Sequence, residues 1–478
     1  MRGERRRLLI ALIAAAAVVA PVAWLWQSSR VPSSYSAADM GYPDFGGGSR
    51  AMSSHGLMGR SVTTFVADPG RRADVQIDLV ARKQRFALGS GQTVDGYTVN
   101  GTSPGPTIRA VEGQLVQVRL TNDNVPDGVT LHWHGVDVPN AEDGVAGVTQ
   151  DAVRPGRSFT YRFVAEHAGT YWYHSHQLSH RQVQGGLFGA LVITPKAPPG
   201  REALAVLHLY DGRATVNGSS GEARVRADTG ERVRVRVINT DNGATGVWVD
   251  GGPYRVLAVD GYDLNGPTPV RDRVVRLTAG GRVDLEVTAP ARVQFGGVGT
   301  LVVGEGAATA PQPTEQVDLL SYGSPAPLPF DATHPDRSFR YSIGRRPGFV
   351  DGRPGVWWSI NGHLFPDVPM FVVEDGDVVR MHISNHSAAV HPMHLHGHHA
   401  VVLARDGVTA TGSPWWVDSL DVASGHSYDI AFVADNPGIW MDHCHNLPHA
   451  AQGLVAHLMY AGVTEPFRIG GGADNEPE

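Results

Sequence analysis

One strand signature occurs three times along the chain, and it limits the possible fold more than any other feature. Each copy begins with Gly, places apolar residues three, five and seven positions later, and closes on Asn at the ninth. The copies are Gly113, Val116, Val118, Leu120, Asn122; Gly230, Val233, Val235, Val237, Asn239; and Gly376, Val379, Met381, Ile383, Asn385. Alternation with period two marks a strand that buries one face. A turn glycine and a terminal asparagine kept at one offset argue for a repeated domain. The 58 glycines and 32 prolines among short Val-rich runs suit an all-β protein with many turns. Three β domains are expected, over 66–198, 199–311 and 331–465, with a linker at 312–330 and a polar tail at 466–478.

Ahead of these units lies a targeting segment, 1–30. Arg2, Arg5, Arg6 and Arg7 precede an uncharged run from Leu8 to Trp26, long enough to cross a bilayer at ~1.5 Å per residue. Pro21 blocks the best-placed small-residue cleavage site, so the segment reads as an uncleaved anchor with its basic end cytoplasmic. That places the body outside the cytoplasmic membrane, on the periplasmic or secreted side. Residues 31–65, rich in Ser, Gly and Tyr, read as a flexible linker; Met40, Met52, His55 and Met58 within it are candidates for weak copper trapping only. A formal charge of −7 with no basic block in the body argues against nucleic acid as a partner class. The single cysteine allows no intrachain disulfide, so an exported fold must be held by its core.

That cysteine, Cys444, stands between His443 and His445, with His449 close behind. On a strand, His443 and His445 share one face and Cys444 points out the other. Four His-x-His pairs occur in all: 132/134, 174/176, 394/396 and 443/445. They match two by two across the outer domains. Gly156 and Gly425 each lie 18 residues before His174 and His443, and Gly169 and Gly438 each lie five before them. His132-Trp133-His134-Gly135 likewise answers His394-Leu395-His396-Gly397. The middle unit carries His208 and no pair. Eight imidazoles brought to one interface suit a multinuclear copper centre. His391, Cys444 and His449 add two imidazoles and a thiolate, the ligand set of a blue-copper electron-transfer site. Leu454 occupies the position of a weak axial ligand and donates nothing.

These motifs resemble those of the multicopper oxidases, over about residues 66–465. The resemblance implies three cupredoxin-like Greek-key β-sandwich domains and four copper ions. His391, Cys444 and His449 then look like the type 1 ligands, and His132 and His394 like the type 2 pair. His134, His174, His176, His396, His443 and His445 look like the type 3 set. The implied reaction takes four single electrons from a phenol, an aromatic amine or Cu(I) and reduces O₂ to water, with copper tolerance as one role. Asp143 lies where the family often has a channel acid; read without the resemblance, Asp143-Gly144 is a turn. Many bacterial relatives carry Glu directly after the second type 1 histidine, and here that residue is Ala450. His180, His363, His398, His399, His426 and His457 read as structural or solvated, and Trp415-Trp416 as core. The rival reading is a non-catalytic copper carrier, which needs only His391, Cys444 and His449.

Overall fold

The computed structural model describes residues 2–48, 59–197 and 200–478. Each copy of the repeat is a strand at the centre of its sheet: Leu115–Asn122, Arg232–Asn239 and Val378–Asn385. All three have the same neighbours. A preceding strand pairs in parallel (Val75–Ala87, Arg201–Tyr210, Arg337–Val350). A later one pairs antiparallel (Ser158–Val164, Arg282–Thr288, Ser427–Val433).

The repeat follows from local physics. Gly113, Gly230 and Gly376 hold φ of 86°, 86° and 91°, a region where an L side chain is strained. The alternate apolar residues are buried, none more than 4% exposed. The closing asparagines are buried too, and each amide donates to one carbonyl of the loop that follows and to at least one in a segment more than thirty residues further on. Asn122 reaches Val125 and Val153, Asn239 reaches Gly243 and Thr278, and Asn385 reaches Ala389 and Val422. An asparagine so placed ties the strand end to its crossover and leaves no buried amide unpaired.

Each unit closes as two packed sheets. The first has two four-stranded sheets, the middle two six-stranded ones, and the third a six- and an eight-stranded sheet. Separate apolar cores fill them. Cys444 and Leu454 both belong to the third core.

One expectation is corrected. The stretch 31–65 is not a free linker in its described parts. Tyr42–Asp44 forms the edge of the third domain's six-stranded sheet beside Pro369–Val373. Ser34–Tyr35 pairs with Ile469–Gly470, and Arg60–Ser61 with Val463–Thr464. Ala37, Met40 and Val62 are buried in the third core, which takes Met40 out of reach as a copper trap. Met52, His55 and Met58 lie outside the described residues. The sequence concealed this because two- and three-residue edge strands are too short to show a period. The tail 466–478 is also held in place: Asn475 is fully buried and is bonded to Ala152 and Asp151 of the first domain.

Arg2–Ser28 forms one exposed helix. Its end is bonded to the tip of the Arg337–Val350/Arg353–Ile360 hairpin, where Asp351 N–H donates to Ser29 O at 2.9 Å.

Candidate metal centre

The matched histidine pairs lie at equivalent registers in the outer domains. His132 is cross-strand from His174, and His394 is cross-strand from His443. Face-to-face docking of the two domains then gathers all eight imidazoles, each at most 2% exposed. The contacts cross the interface: His134 stacks on His394 with ring centres 3.8 Å apart, and His132 on His396 at 3.8 Å. His132 Nε2 lies 3.4 Å from His394 Nε2, and His396 Nε2 lies 3.2 Å from His443 Nε2.

Such nitrogens facing one another suit cations at the ~2 Å of a metal–imidazole bond. Three triads have nitrogens within 4.8 Å of one another: His132/His134/His174, His132/His394/His396 and His176/His396/His443. His134 Nδ1, His174 Nε2 and both ring nitrogens of His176 and His445 are buried without a hydrogen-bond partner. Orphaned buried polar atoms are costly, and metal ligation is the chemistry that satisfies them. Burial, reinforced by the neighbouring imidazoles, holds His134, His174, His394, His396 and His443 well below the usual histidine range and takes His176 and His445 down to about 3. The rings are therefore neutral, and neutral imidazole is the ligating form.

The second group sits inside the third domain. Cys444 Sγ is 3.6 Å from His391 Nδ1 and 3.7 Å from His449 Nδ1. Ser387 Oγ, 2.8 Å from His391 Nε2, fixes that ring with Nδ1 toward the sulfur. Trp358 packs against both imidazoles, at 4.7 and 4.5 Å between ring centres, and His449 alone of the three is half-buried. Burial pushes the Cys444 thiol well above its usual range, so a thiolate here needs a bound cation to stabilise it. The donor set of one sulfur and two nitrogens fits copper.

Strand alternation separates the two groups. Cys444 pairs with Met393 and faces the third core, whereas His443 pairs with His394 and faces the first domain. One tripeptide therefore contributes to both.

Asp143 is buried between ligand candidates. Its carboxylate accepts from His132 Nδ1 at 3.0 Å and lies 3.0 Å from His396 Nδ1, bridging the two outer domains. Ala450 is buried with no polar group to offer. Of the histidines set aside by sequence, His399 is a neighbour of the site. Burial opposes its charge, but Asp137 and Asp418 overcome this and raise it to about 10. His398 is bonded to Tyr460 and the His396 carbonyl, and Trp416 packs against Tyr262 and Phe330.

Sequence reasoning missed Asp418, Arg282 and Glu478, none of which stands at a recognisable spacing from a histidine pair. Glu478 is the most unexpected. The tail crosses to the first domain at the turn after His176, where Leu178 N–H donates to Glu476 O at 2.6 Å and Ser179 Oγ donates to Glu478 Oε2 at 2.7 Å. Glu478 Oε1 then lies 3.2 Å from His443 Nδ1 and 3.8 Å from His176 Nε2. A chain lacking residues 474–478 is expected to lose copper from the cluster to a chelator about tenfold faster than the full chain, as removal of groups behind ligands commonly costs. Unchanged release kinetics would show that the tail seals nothing.

Comparison with known proteins agrees with this geometry. Residues 81–198 and 332–462, together just over half of the chain, match family profiles described as multicopper oxidase. Laccase-1 of Botryotinia fuckeliana is 28% identical over 445 residues, covering 75% of this chain and 77% of that protein. The multicopper oxidase MmcO of Mycobacterium tuberculosis is 27% identical over 475 residues, covering 82% and 88%. A multi-copper oxidase from Pseudomonas thermotolerans superimposes with a TM-score of 0.66 at 26% identity, over 82% of this chain and all of that one. Fold and site thus define a cupredoxin-type copper oxidoreductase. The chain belongs to the multicopper oxidase family; it is an oxidase, and its cofactor is copper.

Proposed function

We propose that this oxidase takes single electrons from a small reducing donor (a phenol, an aromatic amine or Cu(I)) at His391, Cys444 and His449, and reduces O₂ to water at the eight-histidine cluster. One observation carries the reading. Cys444 belongs to the first group while its covalent neighbours His443 and His445 belong to the second, a linkage that neither a carrier nor a copper store requires. The assignment is one type 1 copper on His391, Cys444 and His449, one type 2 on His132 and His394, and a type 3 pair on His134, His174, His176, His396, His443 and His445. Copper there supplies one-electron redox chemistry and oxygen reduction.

The chain's own residues do the rest. Burial keeps His134, His174, His176, His394, His396, His443 and His445 neutral, and the Asp143 carboxylate accepts from ring N–H groups of both outer domains. Asp143 stands at the His132 and His396 Nδ1 atoms, where a carboxylate could relay a proton to the cluster. Half-buried His449, beside Trp358, is the point at which a donor meets the site.

The exposed helix, whose most apolar 18-residue window has mean hydropathy 2.6, supports an anchor that holds the body against the outer face of the cytoplasmic membrane. Copper tolerance follows if Cu(I) is a donor.

The test is copper content, blue absorption and O₂ uptake of the copper-loaded chain with phenol, aromatic amine and Cu(I) in parallel. About four ions per chain with donor-dependent O₂ uptake is expected; one ion and no uptake would leave only a carrier. Leu454, fully buried, accepts from the Cys444 N–H through its carbonyl at 3.2 Å. Leu454→Met would put a thioether into the core that holds Cys444, and a thioether that reached bound copper would stabilise its oxidised form. A redox titration of the blue band should give a lower potential, and an equal or higher one would remove Leu454 from the axial position.

A further inference from the structure

We propose that Arg282, supplied by the middle domain, is a positioning residue for the histidine cluster, acting through Asp418 to set which nitrogen of His134 faces the metal. The proposal rests on the oxidase reading above. It gives the domain without histidine pairs a part in the site.

The geometry runs outward from the ring. His134 Nε2 lies 3.1 Å from Asp418 Oδ1 and 3.2 Å from Ser419 Oγ, while its Nδ1 is buried without a hydrogen-bond partner. An imidazole has one N–H when neutral, and the atom beside a carboxylate keeps it. The lone pair then belongs to Nδ1. This is the arrangement by which a carboxylate behind a histidine fixes both tautomer and ring orientation.

Asp418 is held from three sides. Arg282 meets it with both terminal nitrogens, Nη1 at 2.6 Å from Oδ1 and Nη2 on Oδ2. His399 Nε2 lies 3.1 Å from Oδ2. Asp260 Oδ2 accepts from the backbone N–H groups of Asp418 and Ser419 at 3.3 and 3.2 Å. Arg282 is fixed in turn: its Nε donates to the Thr170 carbonyl of the first domain at 3.0 Å, and its backbone N–H donates to Asp260 Oδ1 at 2.9 Å. Arg282, Asp418 and His134 are each no more than 4% exposed.

The surrounding chain makes room for this guanidinium. A Cβ at Gly135 would fall 2.0 Å from Arg282 Nη2, and one at Gly280 would fall 2.8 Å from His134 Cε1. The middle domain thus presses a turn against the ligand histidines. Stability alone does not account for the pair, because buried ion pairs are often no better than apolar packing of the same volume. Arg236, also in the middle domain, provides the contrast: it is buried on Glu202, Asp284 and Thr170 and touches no histidine.

The experiment compares full-length, copper-loaded Arg282→Gln, Arg282→Lys and Arg236→Gln with the parent. The readouts are blue absorption, the type 2 and type 3 copper spectra, and copper retention against a chelator. Arg282→Gln should keep the blue band, alter the type 2 and type 3 spectra, and hold cluster copper roughly 10–100-fold less tightly. Arg282→Lys should fall between, since an ammonium lacks the two-pronged fork. Arg236→Gln should lower the melting temperature and leave retention and spectra as in the parent. Parent-like retention and spectra in Arg282→Gln overturn the proposal, as does an equal loss in Arg236→Gln. If Arg282→Gln does not fold, Asp418→Asn is the second variant: selective loss of cluster copper supports the proposal, and parent-like retention overturns it. A parent that never turns blue would instead sink the oxidase reading, so the two failures are distinct.

Discussion

Cys444→Ser is expected to abolish the blue colour and donor oxidation together while leaving the cluster able to bind copper. The sulfur is the one soft donor at the site, 3.6 and 3.7 Å from the His391 and His449 Nδ1 atoms. A serine hydroxyl is a harder ligand and stays protonated, so it replaces neither the thiolate's affinity for copper nor its absorption. The loss is confined by strand alternation: residue 444 faces the third core, while His443 and His445 face the other way. Copper should fall from about four ions per chain to about three, and oxidation of every donor should drop to the level of copper-free protein. Metal analysis and absorption of the same sample decide it. A blue, active serine variant would end the assignment of this cysteine.

Asp143→Asn should slow O₂ reduction by roughly 10–100-fold and leave the blue band intact. The carboxylate serves two rings at once, His132 and His396, each through Nδ1. An asparagine offers one oxygen and one NH₂ group, so one of the two N–H donors meets another donor. The substitution also removes an ionisable group from the position nearest the cluster, where it could hold a proton for reduced oxygen. Copper content separates the two effects. Slow turnover at full copper points to the proton, and slow turnover with lost copper points to ring orientation. Unimpaired O₂ uptake would remove Asp143 from both roles.

The fold and the clustering of the histidines were legible in the sequence because each is recorded locally. Gly113, Gly230 and Gly376 mark turns of positive φ, and Asn122, Asn239 and Asn385 mark buried strand ends, at fixed distances along the chain. The four histidine pairs carry their own period, since residues two apart share a strand face. Where that periodicity fails, the reading failed. Ser34–Tyr35 and Tyr42–Asp44 are too short to show alternation, yet the first pairs with Ile469–Gly470 of the tail and the second forms the edge of the third domain's six-stranded sheet.

What surrounds the ligands could not be read at all. His134 is in the first domain, Arg282 in the middle one and Asp418 in the third, and Glu478 reaches His443 from a segment that looks like an ordinary polar tail. No spacing relates such residues, because their contact is created by domain docking and not by the path of the backbone. The sequence by itself determined three β-sandwich units, two groups of clustered His and Cys side chains and the tripeptide that joins them, all properties of a strand and its immediate neighbours. Only the tertiary structure decided which carboxylates and which arginine stand behind those side chains, since a buried charge is stable only opposite its partner, and Asp418 lies 136 residues from Arg282 and 284 from His134.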